Sequence, residues 1–506
     1  MNRGYQKLKI KLSLLTIGLI LTLVAPVFAH ESSDAVAQFR SEVEGLLAHS
    51  CLIRGNYGVK IYSLDRKEVL FQHKDDQLFI PASNLKLITT ALAVRYLGPN
   101  YRFYTRLYST GKLVDGVLHG DLYIKGFGDP KLVSEQMWLL VQELKNLSLN
   151  RVEGDIIADD TYFDDRLRVK TWKKNPGAQA YNAPLGALSF NFNTVAVHVT
   201  PANRAGEKPM VIVDPAVDFI HVDNQANTVG PGGRGRLLVN RVDHGSYNEI
   251  TVSGAMVQGQ PRAKYYLNIT DPTLYTGQVF KKFLVQSGIE VSGQMKMGAV
   301  PDGAEMLVEH ESEPLALALQ GLNKFSNNFV AEQILKALGA ERFGPPGTTE
   351  KGLRVVEEFM TELGYSAGQY KIFDGSGLSR QNRISPDQFV NVLSSIRSDL
   401  GVYPEFITAL GVMGMDGNVK NRLRGTDEAQ KVRVKTGTLN FVSALSGYFQ
   451  SMDGEIFAFS ILMNDLKCSN GQALGIQDRI VREGLHFSRS KPNVEEARSP
   501  AVDGHP

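Results

Sequence analysis

Pro81-Ala82-Ser83-Asn84-Leu85-Lys86-Leu87-Ile88-Thr89-Thr90-Ala91-Leu92-Ala93-Val94-Arg95-Tyr96-Leu97 opens on a proline, turns almost wholly apolar after Lys86 and stops at Gly98-Pro99. Such a run, bounded by a proline and a glycine, reads as one helix, and its lack of a polar face reads as burial inside a domain. Ser83 and Lys86 stand one turn apart and so share a face. A hydroxyl and an amine at the mouth of a buried helix have a chemical use. Serine is a poor nucleophile until a base takes its proton, and a desolvated lysine near a second cation can be neutral enough to be that base. Ser-x-x-Lys also arises by chance at helix starts with an exposed lysine, so its meaning depends on the rest of the chain.

Working outward, Asp34 to Ala48 has the periodicity of a short amphipathic helix, and Tyr57–Ser63 with Val69-Leu70-Phe71 reads as a hairpin turned at Asp65-Arg66-Lys67. Toward the carboxyl end, Val432–Thr436, Ala444–Phe449 and Ile456–Leu462 read as three more strands, followed by an amphipathic helix from about Gln472 to Leu485. Between Leu97 and Ser312 short alternating segments and Gly/Pro-rich turns replace this texture, as expected of an insertion splitting one domain into two halves. Gly230–Arg236 is glycine-rich but lacks the Lys-Ser/Thr of a phosphate-binding loop, so it reads as a turn.

With 506 residues, 43% apolar and 21% charged, the chain is long enough for two or three folded domains. A formal charge of +2 without basic-aromatic clusters argues against a nucleic-acid partner. Residues 1–29 have the form of a secretory signal: Arg3, Lys7, Lys9 and Lys11 precede an apolar run from Leu12 to Val24, and Val27-Phe28-Ala29 offers small residues for cleavage. No later segment approaches the ~20 apolar residues of a membrane helix, so the mature chain is expected without a transmembrane segment, in the periplasm or cell-wall space. No two of the ten histidines fall within ten residues of each other, which removes short-range zinc motifs; neither metal nor cofactor is expected. The two cysteines are Cys51 and Cys468. Ser488 to Pro506 is polar and proline-containing, the composition of a disordered tail.

Two further motifs give Ser83 and Lys86 their context. Ser326-Asn327-Asn328 lies between helical segments, where a short loop presents side chains to a cleft. Lys435-Thr436-Gly437-Thr438 ends a strand with a cation, two hydroxyls and a bare glycine, a set suited to a carboxylate. Ser376, in the glycine-rich Phe373–Arg380 segment, is a second serine to consider, though it lacks the Gly-x-Ser-x-Gly context.

Ser-x-x-Lys, Ser-x-Asn and Lys-Thr-Gly in this order resemble the signature of penicillin-binding proteins and serine β-lactamases. The long insertion, Gly126-Phe127-Gly128-Asp129-Pro130, Tyr181-Asn182-Ala183-Pro184 and Asp374–Arg380 make the chain similar to class C low-molecular-mass penicillin-binding proteins, the D-alanyl-D-alanine carboxypeptidases and endopeptidases. The resemblance implies an α/β (α+β) transpeptidase-like domain from residues 30–103 and 314–490, a five-stranded antiparallel sheet flanked by helices. Inserted domain II (104–128 and 210–313) and inserted domain III (129–209), both mainly β, would interrupt it, with 491–506 as the tail.

It further implies Ser83 as nucleophile, Lys86 as base, Ser326 as proton relay, Asn328 as a hydrogen-bonding partner of the substrate, and Lys435 as an aid to Lys86 and an attractor of the terminal carboxylate. Thr436, Gly437 and Thr438 would complete the carboxylate site, with the oxyanion held by the N–H groups of Ser83 and Thr438. The partners implied are peptidoglycan stem peptides as substrates and β-lactams as covalent inhibitors; oligomeric state stays open. The resemblance also makes the first and last strands neighbours and so brings Cys51 and Cys468 together as a disulfide. Asp160, beside Asp159, and Arg380 would read the charged end of a diamino acid in the stem peptide. The rival readings are a serine β-lactamase and a wall-binding protein without catalysis.

Overall fold

The computed structural model describes residues 34–53, 55–173 and 177–489; the expected signal segment and most of the polar tail lie outside them. An antiparallel sheet carries the organisation, with strands in the order Gly411–Val412, Val432–Leu439, Val442–Gln450, Ile456–Asn464, Asn56–Ser63 and Glu68–His73. Five of these are the strands read from sequence; the sixth is a two-residue edge strand too short to leave a periodic signal. Ile461 pairs with Val59, which sews the two halves of the chain together across more than the length of the insertion.

The central strands Val442–Gln450 and Ile456–Asn464 are buried at nearly every position, on both faces. Helices cover both sides, so neither face alternates with solvent. On one side pack the helix at residues 34–47 and Asn470–His486, the latter started by a capping box in which Ser469 and Gln472 satisfy each other's backbone N–H. Cys51 and Cys468 join these ends in a disulfide with Cα atoms 5.2 Å apart. On the other side the Ser83–Lys86 segment, Asn328–Phe343, Thr349–Glu362 and Pro386–Arg397 share the largest apolar core.

The organising helix is not uniform. Ala82–Leu85 is a 3-10 turn, Lys86–Leu92 is α-helical and Ala93–Leu97 is a π turn closed by Gly98 at φ 86°. Leu87, Ala91 and Leu92 are fully buried, each leucine contributing about 1.5–3 kcal/mol by leaving water.

Strand pairing in the insertion does not follow the division at residues 128/129 and 209/210. One sheet runs Met295–Met297, Ile156–Asp159, Leu122–Gly126, Tyr104–Ser109, Glu305–Glu311, so Ile156–Asp159 belongs with strands on either side of its expected module. A second sheet sets Thr194–Thr200 between Met210–Asp214 and Ala263–Asn268. Pairing between distant segments leaves no local mark in a sequence. No helix among the described residues is long and apolar enough to cross a membrane.

Candidate active site

The three motifs converge. Lys86 is fully buried, and its Nζ lies 3.0 Å from Ser83 Oγ, 2.7 Å from Asn328 Oδ1 and 2.6 Å from the Ser376 carbonyl oxygen. The last two are obligate acceptors, whereas a hydroxyl can also donate. A neutral amine has two N–H bonds and one lone pair, so with its hydrogens on Asn328 and Ser376 the lone pair is left for the Ser83 proton. Burial pushes the Lys86 amine down from 10.5 to about 7, against the opposing pull of Asp374 and Glu332.

Each side chain is placed by local backbone chemistry. In Ser326-Asn327-Asn328 the middle residue is the N-cap: Asn327 accepts the Val330 N–H at 3.2 Å and starts Asn328–Phe343. Ser326, just before it, holds φ at 58°, a left-handed conformation costing on the order of 1–3 kcal/mol that packed surroundings must sustain. Its Oγ lies 3.0 Å from Lys435 Nζ, which also donates to the Thr436 carbonyl at 2.7 Å. Lys435 is fully buried; burial first, and the Lys86 charge second, push it well below the ordinary lysine range. Burial is the leading cause of the downward shift at both lysines. Gly437 lets its strand press onto the nucleophile turn: a Cβ there would lie 2.6 Å from the Pro81 carbonyl oxygen and 3.1 Å from the Ser83 nitrogen. Thr436 is half-buried and Thr438 exposed, where a ligand can reach them.

Ser376 is not a second nucleophile candidate. Its side chain is fully buried, and what it supplies to Lys86 is its backbone carbonyl. That carbonyl is held by Glu332, which sequence reasoning passed over, and by Asp374, which it quoted only as the start of a motif without a role. Glu332 accepts the N–H groups of Gly375 (3.0 Å) and Ser376 (2.8 Å), and Asp374 accepts those of Gly377 (2.9 Å) and Ser379 (2.7 Å), the Asn382 amide (2.8 Å) and the Trp172 indole N–H (2.9 Å). Burial and the neighbouring Asp374 push Glu332 up to about 8. The available signal for Glu332 was an acid a little over one turn beyond Asn328, on the helix that the Ser326-Asn327-Asn328 motif begins.

No hydrogen bond or ion pair links Asp160 or Arg380 to this cluster. Asp159 is fully buried and paired with Lys125 at 2.9 Å. Asp160 accepts the Leu188 N–H at 2.6 Å and the Thr273 hydroxyl at 3.1 Å, and burial pushes its carboxyl up to about 7. Arg380 is exposed and donates to the Asn440 carbonyl at 3.0 Å, just beyond the Val432–Leu439 strand. Among the described residues no group of three or more His, Cys, Asp or Glu side chains could hold a metal.

A model of the D-Ala-D-Ala carboxypeptidase 3 (S13) family matches residues 39–483. A D-alanyl-D-alanine carboxypeptidase of Actinomadura sp. (strain R39) is 33% identical over 485 residues, 92% of this chain and 89% of that protein. The D-alanyl-D-alanine carboxypeptidase DacB of Haemophilus influenzae is 26% identical over 411 residues, 81% of this chain and 85% of that protein. In fold, the crystal structure of penicillin-binding protein 4 (dacB) from H. influenzae superposes with a TM-score of 0.76 at 23% identity, covering 88% of this chain and 99% of that one. The same protein complexed with a β-lactam superposes at 0.71, at 23% identity, covering 87% of this chain and 98% of that one. With both its length and its fold accounted for, the chain belongs to the D-Ala-D-Ala carboxypeptidase 3 (S13) family.

Proposed function

We propose that Ser83 carries the serine-type D-alanyl-D-alanine carboxypeptidase activity of this family, with Lys86 as its base. The observation that carries the assignment is the buried Lys86 Nζ, 3.0 Å from Ser83 Oγ and with its other two neighbours both obligate acceptors. Ser83 Oγ attacks the carbonyl between the two D-alanines as its proton passes to Lys86. The oxyanion is met by the backbone N–H groups of Ser83 and Thr438, a reading supported by the close approach of Gly437, next to Thr438, to the Ser83 nitrogen. Collapse breaks the C–N bond, and a proton delivered through Ser326 lets the terminal D-alanine leave as an amine. Lys435, with Thr436 and Thr438, attracts the terminal carboxylate. Water then attacks the Ser83 ester and regenerates the enzyme. A D-Ala linked to a diamino acid, as in a cross-link, offers the same bond, so endopeptidase action uses the same steps.

A β-lactam presents an amide that Ser83 would open to the same ester, and we assign it as a covalent inhibitor. Arg380, exposed beside the end of the Lys435 strand, is our candidate for the carboxylate of a diamino acid. An ammonium reaching Asp160 would have to displace Thr273. The protein acts on peptidoglycan stem peptides in the periplasm or cell-wall space.

Fluorescent penicillin tests the centre. Wild-type protein should give a stable labelled band and Ser83→Ala none, while circular dichroism of the variant stays that of the wild type. A band that decays rapidly would support a β-lactamase, and labelling retained in Ser83→Ala would move the nucleophile elsewhere.

A further inference from the structure

Two arginines from different parts of the insertion meet behind the turn that touches Asn328. Arg168 follows the strand Ile156–Asp159 and donates to the Asn182 carbonyl at 2.8 Å. Arg241, on the strand Arg236–Asp243, donates through Nε and Nη2 to Asn268 Oδ1 at 3.1 and 3.0 Å. The Asn268 amide closes the network by donating to the same Asn182 carbonyl at 3.1 Å. Both guanidiniums therefore hang on neutral acceptors.

Neither forms an ion pair within 4.0 Å with a described carboxylate. Asp243 is near enough to act on both, but its Oδ1 accepts the Gly245 N–H at 2.9 Å and the Thr270 hydroxyl at 3.3 Å. Both arginines are half-buried, and burial pushes both down, with the Arg241 charge adding to the effect on Arg168. A guanidinium nevertheless stays charged at neutral pH. With Asp243 the one described carboxylate acting on both, the two guanidiniums keep an excess positive charge partly out of water, which a further anion offsets, and five N–H donors per guanidinium leave several over for it.

Their position says what the anion is attached to. Tyr181 accepts the Asn328 side-chain N–H at 3.0 Å through its carbonyl, and the next carbonyl along, that of Asn182, is the one Arg168 holds. The pair thus stands one residue along the chain from the contact to the candidate centre, on its Asn328 side. We propose that Arg168 and Arg241 form a subsite for a carboxylate carried by the peptide substrate away from its D-Ala-D-Ala end. The proposal rests on the peptidase reading for the identity of that anion. It is separate from Arg380, which donates beyond the strand of Thr438.

The test uses two synthetic stem peptides ending in D-Ala-D-Ala, identical except that the free side carboxylate of the second residue is replaced by a carboxamide. Wild-type protein at low salt should favour the carboxylate peptide about tenfold in kcat/KM, the scale of one charge-assisted contact. Arg168→Gln and Arg241→Gln should each bring that ratio below about twofold, while penicillin acylation stays at the wild-type rate. A ratio unchanged in both variants, or penicillin acylation falling in step with peptide hydrolysis, overturns the subsite. Calorimetry of the same peptides with Ser83→Ala protein separates the two readings. Equal binding of both peptides would remove the subsite and leave the peptidase standing. Carboxylate-dependent binding that disappears when the arginine substitutions are added, together with wild-type protein that hydrolyses neither peptide, would remove the peptidase and leave the subsite.

Discussion

Gly377 lies hard against Ala82: a Cβ on Gly377 would sit 1.8 Å from the Ala82 carbonyl oxygen. The residue before the candidate nucleophile, itself held at φ 48°, is thereby clamped by the loop that supplies the Ser376 carbonyl to Lys86. Gly377→Ala is expected to force the loop and the Ser83 turn apart, on top of the strain of a side chain at φ 81°. Penicillin acylation should fall by at least about tenfold, since misplacing reacting groups by about 1 Å can cost ~10²-fold. Stopped-flow acylation against the thermal midpoint checks this; a normal rate would mean the clamp does not position Ser83.

The Lys86 amine sets a pH dependence with a definite sign. Only its neutral form accepts the Ser83 proton, so the acylation rate should rise with pH and level off above about 7. For stability the sign is the reverse of the usual lysine case. The folded-state value, about 7, lies below the unfolded 10.5, so between these limits the unfolded chain binds more protons and stability rises with pH by up to about 1.4 kcal/mol per unit. Lys86→Met should abolish acylation, and its stability relative to wild type should be more favourable at pH 6 than at pH 9. Denaturant melts at the two pH values measure this; a gap that does not move with pH would contradict a depressed Lys86.

Glu332 separates charge from support. Glu332→Gln keeps one acceptor oxygen for the Gly375 and Ser376 N–H groups but cannot ionise, so acylation at pH 7 should stay within about fivefold of wild type. Any limb of the pH profile near 8, the value to which burial and Asp374 push Glu332, should vanish. Glu332→Ala leaves two buried N–H groups without a partner, at about 1–3 kcal/mol each, and should lower both the melting point and the acylation rate. If the glutamine and alanine variants behave alike, the carboxylate's hydrogen bonds are not what holds the loop.

Arg380 and Asp160 divide by what surrounds them. Arg380→Ala, at an exposed site, should lower kcat/KM for a diaminopimelate-containing peptide by about tenfold and leave penicillin acylation unchanged. Asp160→Ala removes the acceptor of the Leu188 N–H and Thr273 hydroxyl, so a loss of stability of about 1–3 kcal/mol should accompany any change in rate. Kinetics with both substrates, beside melting curves, discriminates the two. Equal losses on peptide and penicillin for Arg380→Ala would remove it from specificity.

The sequence by itself determined the parts that rest on local pattern. Ser83 and Lys86 share a turn by helical spacing, Ser326-Asn327-Asn328 falls between helical segments, and the five longer strands follow from their β-branched and aromatic runs. Family resemblance extended this to Cys51 and Cys468, because it implied which strands are neighbours. Tertiary structure alone decided whatever depends on approach between distant segments. The pairing of Ile156–Asp159 with Leu122–Gly126, the roles of Glu332 and Asp374 beneath the Ser376 carbonyl, and the meeting of Arg168 with Arg241 all belong here. An isolated acid or arginine in a sequence carries no sign of its depth. Its chemistry is set by burial and by which donors or charges the fold brings within hydrogen-bonding distance, and that is why Lys86 is a candidate base and Lys125, paired with Asp159, is not.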